Sequence, residues 1–152
     1  MEAPLFIGGL ERSGTSLVRA ILGSHSDLAI FQWDLPLWRR LYRYFGNRNL
    51  SHDDCEVLLQ KIISNKKALL ADHRPSPDRV MENIVSQDEP LQCEDVFGIY
   101  LREYSKIRNR SRWGLKTPTN EFYAESMLNY FPGAHFVHCV RDPRDVIVSI
   151  MN

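Results

Sequence analysis

The sequence lacks an excess of charge of either sign. Its 19 Lys and Arg residues balance its 19 Asp and Glu residues, so the formal net charge is zero. A chain with this balance has no overall attraction for nucleic acid or for an anionic membrane, and any anion site must be local. The 152 residues suit one domain. The content of 43% hydrophobic and 25% charged residues is that of an ordinary globular protein.

Long hydrophobic runs are absent from the N-terminus. The first four residues include no basic side chain, and the apolar stretch Leu5–Leu10 is interrupted by Gly8 and Gly9 before Glu11. Such a stretch is too short for a signal peptide or a membrane span. We therefore expect either a cytoplasmic protein or a chain that lacks its targeting segment.

Cysteine is scarce, with three residues far apart in the chain. Cys55, Cys93 and Cys139 form no CxxC pair and have no His at zinc-binding spacing. We expect buried free thiols, and the odd number favours a reducing compartment.

Short apolar runs alternate with longer amphipathic ones along the chain. The short runs predict strands at Pro4–Gly8, Leu28–Trp33, Trp113–Lys116 and His135–Val140. Helical spacing predicts helices over Thr15–Leu22, Leu37–Phe45, from Ser51, from Ser76 to Val85, over Val96–Ile107, from Asn120 to Phe131 and over Val146–Met151. Strands that alternate with helices indicate an α/β, three-layer fold with a central parallel sheet, here with a helical middle segment. The sequence stops inside its last predicted helix, so we expect residues 1–152 to be the N-terminal portion of a longer domain.

The segment after the first strand has the outline of a phosphate-binding loop. Gly9 and Gly14 enclose a turn that leads into a helix, whose N-terminus offers amide N–H groups and a positive dipole end to an anion. A Walker loop has Lys at the position of Thr15. This sequence therefore lacks the lysine that a kinase uses, together with magnesium, to neutralise a triphosphate. Arg12 stands inside the loop instead, which suits a smaller anion bound without metal, such as a phosphosulfate. The alternative is a plain strand-to-helix turn.

Two further segments carry cations after predicted strands. Arg141 follows the strand that ends at Val140, where open α/β sheets bind ligands, and Ser149 comes two helical turns later. The two side chains together could hold one phosphate. The alternative for residues 141–145 is a surface ion-pair network. Lys116 ends another predicted strand before Thr117-Pro118 and could reach the same crevice, or it could be an ordinary solvent-exposed lysine.

In this order the three segments resemble the sulfotransferase family, especially its Golgi-type and bacterial branch that includes tyrosylprotein sulfotransferases. The resemblance covers Leu5–His25 and Trp113–Asn152, and the helical middle carries little of it. It implies 3′-phosphoadenosine 5′-phosphosulfate (PAPS) as the sulfuryl donor, no metal, and a hydroxyl or amine acceptor on a small molecule, a glycan or a protein tyrosine. It also makes the Golgi lumen the alternative compartment, if a signal anchor is missing from this chain.

The resemblance implies a role for each matching residue. The residues of the 5′-phosphosulfate loop would be Arg12, Ser13, Gly14, Thr15 and Ser16. Arg141 and Ser149 would hold the 3′-phosphate, and Lys116 would stabilise charge on the transferring sulfuryl group or the bridging oxygen.

The sequence departs from the family pattern at the base. The family often has a glutamate shortly after the first helix, but Ile30–Asp34 contains none. Asp34 is the nearest carboxylate and our candidate base, although it also has the position of a helix N-cap. His25 and Glu11 are further candidates. The rival functions are a kinase with a degenerate Walker loop and a nucleotide-binding fragment without catalysis.

Overall fold

The computed structural model describes residues 3–31, 35, 37–65 and 73–151. Its strands are β1 (Leu5–Gly8), β2 (Leu28–Phe31), β3 (Arg112–Lys116) and β4 (His135–His138). Its helices are α1 (Thr15–Leu22), α2 (Tyr42–Phe45), α3 (His52–Ile63), α4 (Pro77–Val85), α5 (Cys93–Ile107), α6 (Ala124–Tyr130) and α7 (Pro143–Met151). A π-helical turn (Leu37–Leu41) precedes α2, and a 3₁₀ turn (Asn120–Tyr123) precedes α6.

The strands form one parallel sheet in the order β2-β3-β1-β4. Leu5 of β1 lies opposite Gly114 of β3 on one side and opposite His135 of β4 on the other. The predicted central parallel sheet is therefore confirmed, and its first and last strands are neighbours in it. Because all four strands run in one direction, the segments that follow β1, β3 and β4 emerge at the same edge of the sheet.

Successive side chains along each strand point to opposite faces of the sheet, and both faces are apolar. Leu5 and Ile7 pack with residues of α1 on one face. Phe6 points to the other face, into a core that α3, α4 and α5 share. The result is the predicted three-layer α/β arrangement with a helical middle segment, because each face of a parallel sheet must be covered.

Aromatic rings form the centre of the larger core. Phe6 contacts Trp38, Trp113 and Phe131 with ring centroids 5.7 to 5.8 Å apart, two of the three pairs edge-to-face. Each such pair adds about 0.5–1.5 kcal/mol beyond the burial of its area. This cluster ties β1 and β3 to the segment between α6 and β4.

Two predicted elements differ in detail from the structure. The helix expected from Asn120 begins as a 3₁₀ turn, because Asn120 Nδ2 donates to Ile7 O (3.4 Å) and holds that turn against the sheet. The segment expected as a helix from Leu37 starts with a π-helical turn. In the part of the chain that the structure describes, no helix is long and apolar enough to cross a membrane.

Helix α3 begins with a complete capping box. Ser51 Oγ accepts from Asp54 N (3.1 Å), and Asp54 Oδ2 accepts from Ser51 N (3.1 Å). Arg48 adds two short bonds to the Asp54 carboxylate, at 2.7 and 2.8 Å. The Arg48 guanidinium and the Ser51 bonds together hold the pKa of Asp54 well below its usual range.

The capping box makes Ser51→Ala a measurable stability change. We expect a loss of about 1 kcal/mol in the free energy of unfolding, because the mutant leaves one amide of the first turn without its acceptor. Ser76 is the matched control: it caps α4 in the same position, but its side chain makes no capping hydrogen bond. Urea unfolding of both variants is the measurement, and equal losses would contradict the expectation.

Candidate functional site

The loop between β1 and α1 is a tight turn with three residues at positive φ. Gly9 (φ 146°), Arg12 (φ 66°) and Gly14 (φ 94°) bend the chain back toward the start of the helix. Ser13 closes the turn, since its amide and its hydroxyl both donate to Leu10 O, at 3.1 and 2.6 Å. Thr15 is buried at the first position of α1. The first helical turn thus directs its amide N–H groups into the loop.

The loop lies where the other two cationic segments leave the sheet. Thr119 N donates to Gly9 O (3.3 Å), and Cys139 N donates to Gly8 O (2.9 Å). A residue with a side chain would not allow this approach at Gly9, because a Cβ there would lie 2.4 Å from Cys139 O. The three segments predicted to carry the site therefore meet at one edge.

The predicted phosphate residues form one contact network. Arg12 Nε donates to Ser149 Oγ (2.9 Å) and to Ser149 O (3.1 Å). Arg141 Nη1 donates to Arg12 O (3.3 Å). The residue predicted for the 5′ side of the ligand and the pair predicted for its 3′-phosphate are thus in direct contact, and both guanidinium groups are partly open to solvent.

The two arginines that follow β4 differ in their ion pairs. Arg144 binds both carboxylate oxygens of Asp142, at 3.0 and 2.6 Å, and these bonds lower the pKa of Asp142. Arg141 lies 3.8 Å from Asp145 and turns toward the loop. The surface ion pairs expected as the alternative are therefore present, closely at Arg144 and Asp142 and more loosely at Arg141 and Asp145, while Arg141 also contacts the loop.

Lys116 is not an ordinary solvent-exposed lysine. Its residue is only 7% exposed, at the carboxyl end of β3 and opposite Ile7 of the central strand. The next residue fixes its place: Thr117 N donates to Ile7 O (3.2 Å), and Thr117 Oγ1 donates to Leu35 O (3.1 Å). Lysine is among the residues that are least often buried, so the burial of Lys116 indicates a role other than keeping the surface soluble.

The candidate bases fall in different places. Asp34 lies outside the described residues. His25 precedes β2, at the opposite edge of the sheet from the loop, where its Nδ1 accepts from Asp27 N (3.1 Å). Glu11 is exposed within the loop itself. The position of His25 removes it from the candidates, because the cationic segments all lie at the other edge.

Sequence reasoning missed Glu121, which contacts the first amide of the loop. Its Oε2 accepts from Gly9 N at 2.7 Å. A Cβ at Gly8 would lie 2.8 Å from Glu121 N, so glycine is what allows the approach. In the sequence, Glu121 resembles an acidic residue in the first turn of a helix. Only the pairing of β1 with β3 shows that the turn after Lys116 lies on the loop.

Glu121 also influences the thiol beside the loop. Burial raises the pKa of the Cys139 thiol first, and the charge of Glu121 raises it further. Cys55 and Cys93 are free and buried, as expected, whereas Cys139 is free but only partly buried. Burial, followed by the charge of Glu94, raises the pKa of Cys93 to about 12. No group of three His, Cys, Asp or Glu side chains that could hold a metal ion occurs among residues 3–31, 35, 37–65 and 73–151.

Together these features define a class of protein. A glycine-containing loop follows the central strand of a parallel sheet, two arginines lie at the loop, and a buried lysine ends the next strand. The position of the Walker lysine is occupied by a buried threonine, Thr15. The chain is thus an α/β protein whose loop after β1 differs from the Walker loop of nucleoside triphosphatases.

Comparison with known proteins identifies the family. A model of the sulfotransferase family matches residues 4–152, so the chain belongs to that family. The protein-tyrosine sulfotransferase of Drosophila melanogaster is 26% identical over 152 residues, which cover 99% of this chain and 26% of that protein. The omega-hydroxy-beta-dihydromenaquinone-9 sulfotransferase Stf3 of Mycobacterium bovis is also 26% identical, over 99% of this chain and 45% of its own length.

A solved structure is similar over most of the chain. The crystal structure of sulfotransferase STF1 from Mycobacterium tuberculosis H37Rv shares 20% identity, with a TM-score of 0.44, over 93% of this chain and 46% of that one. The chain spans 26% to 45% of the length of the two curated relatives.

The two glycines that enclose the loop allow a matched stability test. Both have positive φ, but a Cβ at Gly9 would lie 2.4 Å from Cys139 O, whereas a Cβ at Gly14 would meet no atom within 4 Å. A strained backbone costs about 1–3 kcal/mol at either position. We expect Gly9→Ala to lose about 1–3 kcal/mol more than Gly14→Ala in urea unfolding, because of the added clash. Equal losses would show that the loop can move away from Cys139.

Proposed function

We propose that this protein transfers a sulfuryl group from PAPS to a hydroxyl or amine acceptor. The observation that carries the proposal is the Arg12–Ser149–Arg141 network beside the loop, together with the buried Lys116 at the same edge of the sheet. Such an edge offers a nucleotide with two separate anionic groups several charge-assisted contacts, which are the strong kind of hydrogen bond. Membership of the sulfotransferase family supports the same reaction class.

The residues present suit the 5′-phosphosulfate of the donor. The loop has open space beside Gly14, where a Cβ would meet nothing within 4 Å. Helix α1 has no acidic side chain in its first turn, so no negative charge opposes an anion there. Arg12 would neutralise part of the ligand charge, and Ser16 is an exposed residue in the first turn of α1.

The proposed reaction needs a fixed cation where negative charge develops. A bond forms between the acceptor atom and sulfur, and the bond from sulfur to the bridging oxygen of the 5′-phosphate breaks. The electron pair stays on that phosphate, and the acceptor proton passes to a base, for which Asp34 remains our prediction. Lys116 would stabilise the bridging oxygen from a water-poor position, where a charge acts more strongly than in bulk water.

A kinase is the less favoured function. The amide N–H groups of the loop could hold phosphates, but Thr15 has neither the charge nor the reach of the Walker lysine, and its side chain is buried.

Arg141 should distinguish a nucleotide with a 3′-phosphate from one without it. We expect Arg141→Ala to weaken binding of 3′-phosphoadenosine 5′-phosphate by about 1.5–3 kcal/mol, the cost of one charged hydrogen bond. Binding of adenosine 5′-monophosphate should change much less. Arg144→Ala is the control, since Arg144 is 89% exposed and pairs with Asp142. Calorimetry without magnesium is the measurement, and equal weakening for both nucleotides would remove Arg141 from the 3′-phosphate site.

Lys116 should affect turnover more than donor binding. A charge that meets the bridging oxygen as it becomes negative stabilises the transition state more than the ground state. We expect Lys116→Ala to slow single-turnover conversion of saturating PAPS, with 4-ethylphenol as acceptor, by about 10²- to 10³-fold. Nucleotide affinity should stay nearly unchanged, and Lys116→Arg should recover little, because the guanidinium differs in shape.

Lys106 is the matched lysine for this experiment. Its side chain is 59% exposed and pairs with Glu103 on α5, away from the loop. Lys106→Ala should therefore turn over at the normal rate. If Lys116→Ala, folded as judged by its unfolding curve, also turned over normally, Lys116 would have no part in the reaction and Arg12 would be the next candidate.

A further inference from the structure

A cleft of about 580 Å³ lies between the helical layer and the segment that follows β3. Its walls come from α2 and the residue Asn47, from the start of α5, and from Phe122–Tyr130. We call it the Glu94 cleft, after a buried acidic residue of its wall. Helix α5 leads into β3 and therefore begins near the edge of the sheet where the strands end.

One short turn joins this cleft to the candidate site. In the 3₁₀ turn Asn120–Tyr123, Glu121 Oε2 holds Gly9 N of the loop at 2.7 Å. The next two residues, Phe122 and Tyr123, line the cleft. The same turn thus contacts the loop through Glu121 and lines the cleft through Phe122 and Tyr123.

The cleft combines aromatic rings with negative charge. Four aromatic side chains line it, those of Tyr42, Phe122, Tyr123 and Tyr130. Two carboxylates, Glu94 and Glu125, lie among them, and the described lining residues include no Lys, Arg or His. Aromatic faces and carboxylates both attract cations, while an anionic ligand would find no partner charge on these walls.

One carboxylate oxygen of Glu94 lacks a hydrogen-bond donor. The residue is only 2% exposed, and its Oε2 is buried with no hydrogen-bond partner among the described residues. A buried acceptor without a partner typically costs about 1–3 kcal/mol. Burial raises the pKa of Glu94, and the charge of Asp95 raises it further. A ligand that brought an ammonium group to this carboxylate would supply the missing donor and favour its charged form.

We propose that the Glu94 cleft binds the acceptor of the sulfuryl group, and that it takes an aromatic molecule with a cationic amine in preference to an anionic one. The proposal rests on the proposed function and assigns the substrate class of the same site. The rings would hold the apolar body of the acceptor, and Glu94 would pair with its ammonium group. Because Oε2 is closed from solvent, we expect a neighbouring side chain to rotate when the ligand enters.

Three phenols of similar size and different charge test the proposal. Tyramine is cationic, 4-ethylphenol is neutral and 3-(4-hydroxyphenyl)propionate is anionic at neutral pH. Their affinities for the 152-residue chain are measured by NMR titration at saturating 3′-phosphoadenosine 5′-phosphate. We expect tyramine to bind about tenfold more tightly than 4-ethylphenol, the effect of one charged contact, and the propionate to bind most weakly.

Three variants test whether the preference for tyramine depends on the Glu94 cleft. Glu94→Gln keeps the shape of the side chain but removes its charge, and should reduce the advantage of tyramine over 4-ethylphenol to about twofold or less. Glu89→Gln is the control, because Glu89 is exposed outside the cleft, and it should keep the full advantage. Phe122 is 72% exposed, so Phe122→Ala should fold normally and weaken all three phenols.

The outcomes separate this proposal from the proposed function. If the nucleotide binds but the three phenols bind equally, or if the preference for tyramine survives Glu94→Gln in a folded variant, the cleft proposal is wrong and the nucleotide site stands. If tyramine is preferred but no nucleotide binds, the claim that the cleft holds a sulfuryl acceptor is overturned together with the proposed function. Nucleotide binding together with a Glu94-dependent preference for tyramine supports both.

Discussion

The close approach of three backbone segments at Gly8 and Gly9 is the constraint on which the candidate site depends. β1 lies between β3 and β4, and its last residues pass within hydrogen-bond distance of the segments that follow both neighbours. A Cβ at Gly8 would lie 2.8 Å from Glu121 N, and a Cβ at Gly9 would lie 2.4 Å from Cys139 O. Without these two glycines, the cationic segments could not converge on one loop.

The sequence was enough to predict the sheet and its shared edge. Short apolar runs identified β1 and β4, and their parallel pairing followed from the helices that separate the strands. Parallel strands end at the same edge of the sheet, so Arg12 and Arg141 could both be expected at that edge, and the adjacency of β1 and β4 brings them into contact. The family signature lies in these same segments, so fold and family were predicted from a small part of the chain.

Other features depend on packing that no local pattern records. A lysine at the end of a strand has the same sequence pattern whether it is exposed or buried. Lys116 is buried because other segments of the chain pack over the end of β3. Glu121 had the position of a helix-start acid, yet its partner Gly9 is 112 residues away. Glu94 precedes the apolar stripe of α5, so its burial could not be read from periodicity. Each of these residues owes its environment to a contact that is distant in sequence.

A net charge of zero can conceal two local fields of opposite sign. The loop edge carries Arg12, Arg141 and Lys116, and the N-terminal dipole of α1 adds positive potential there. The Glu94 cleft carries carboxylates, one of which, in the first turn of α5, is also stabilised by the dipole of that helix. Salt screens the two buried residues, Lys116 and Glu94, less than the exposed charges around them. Under the proposed function, a polyanionic donor is thus attracted to the loop and repelled from the acceptor cleft, so the two substrates are sorted by charge before any contact forms.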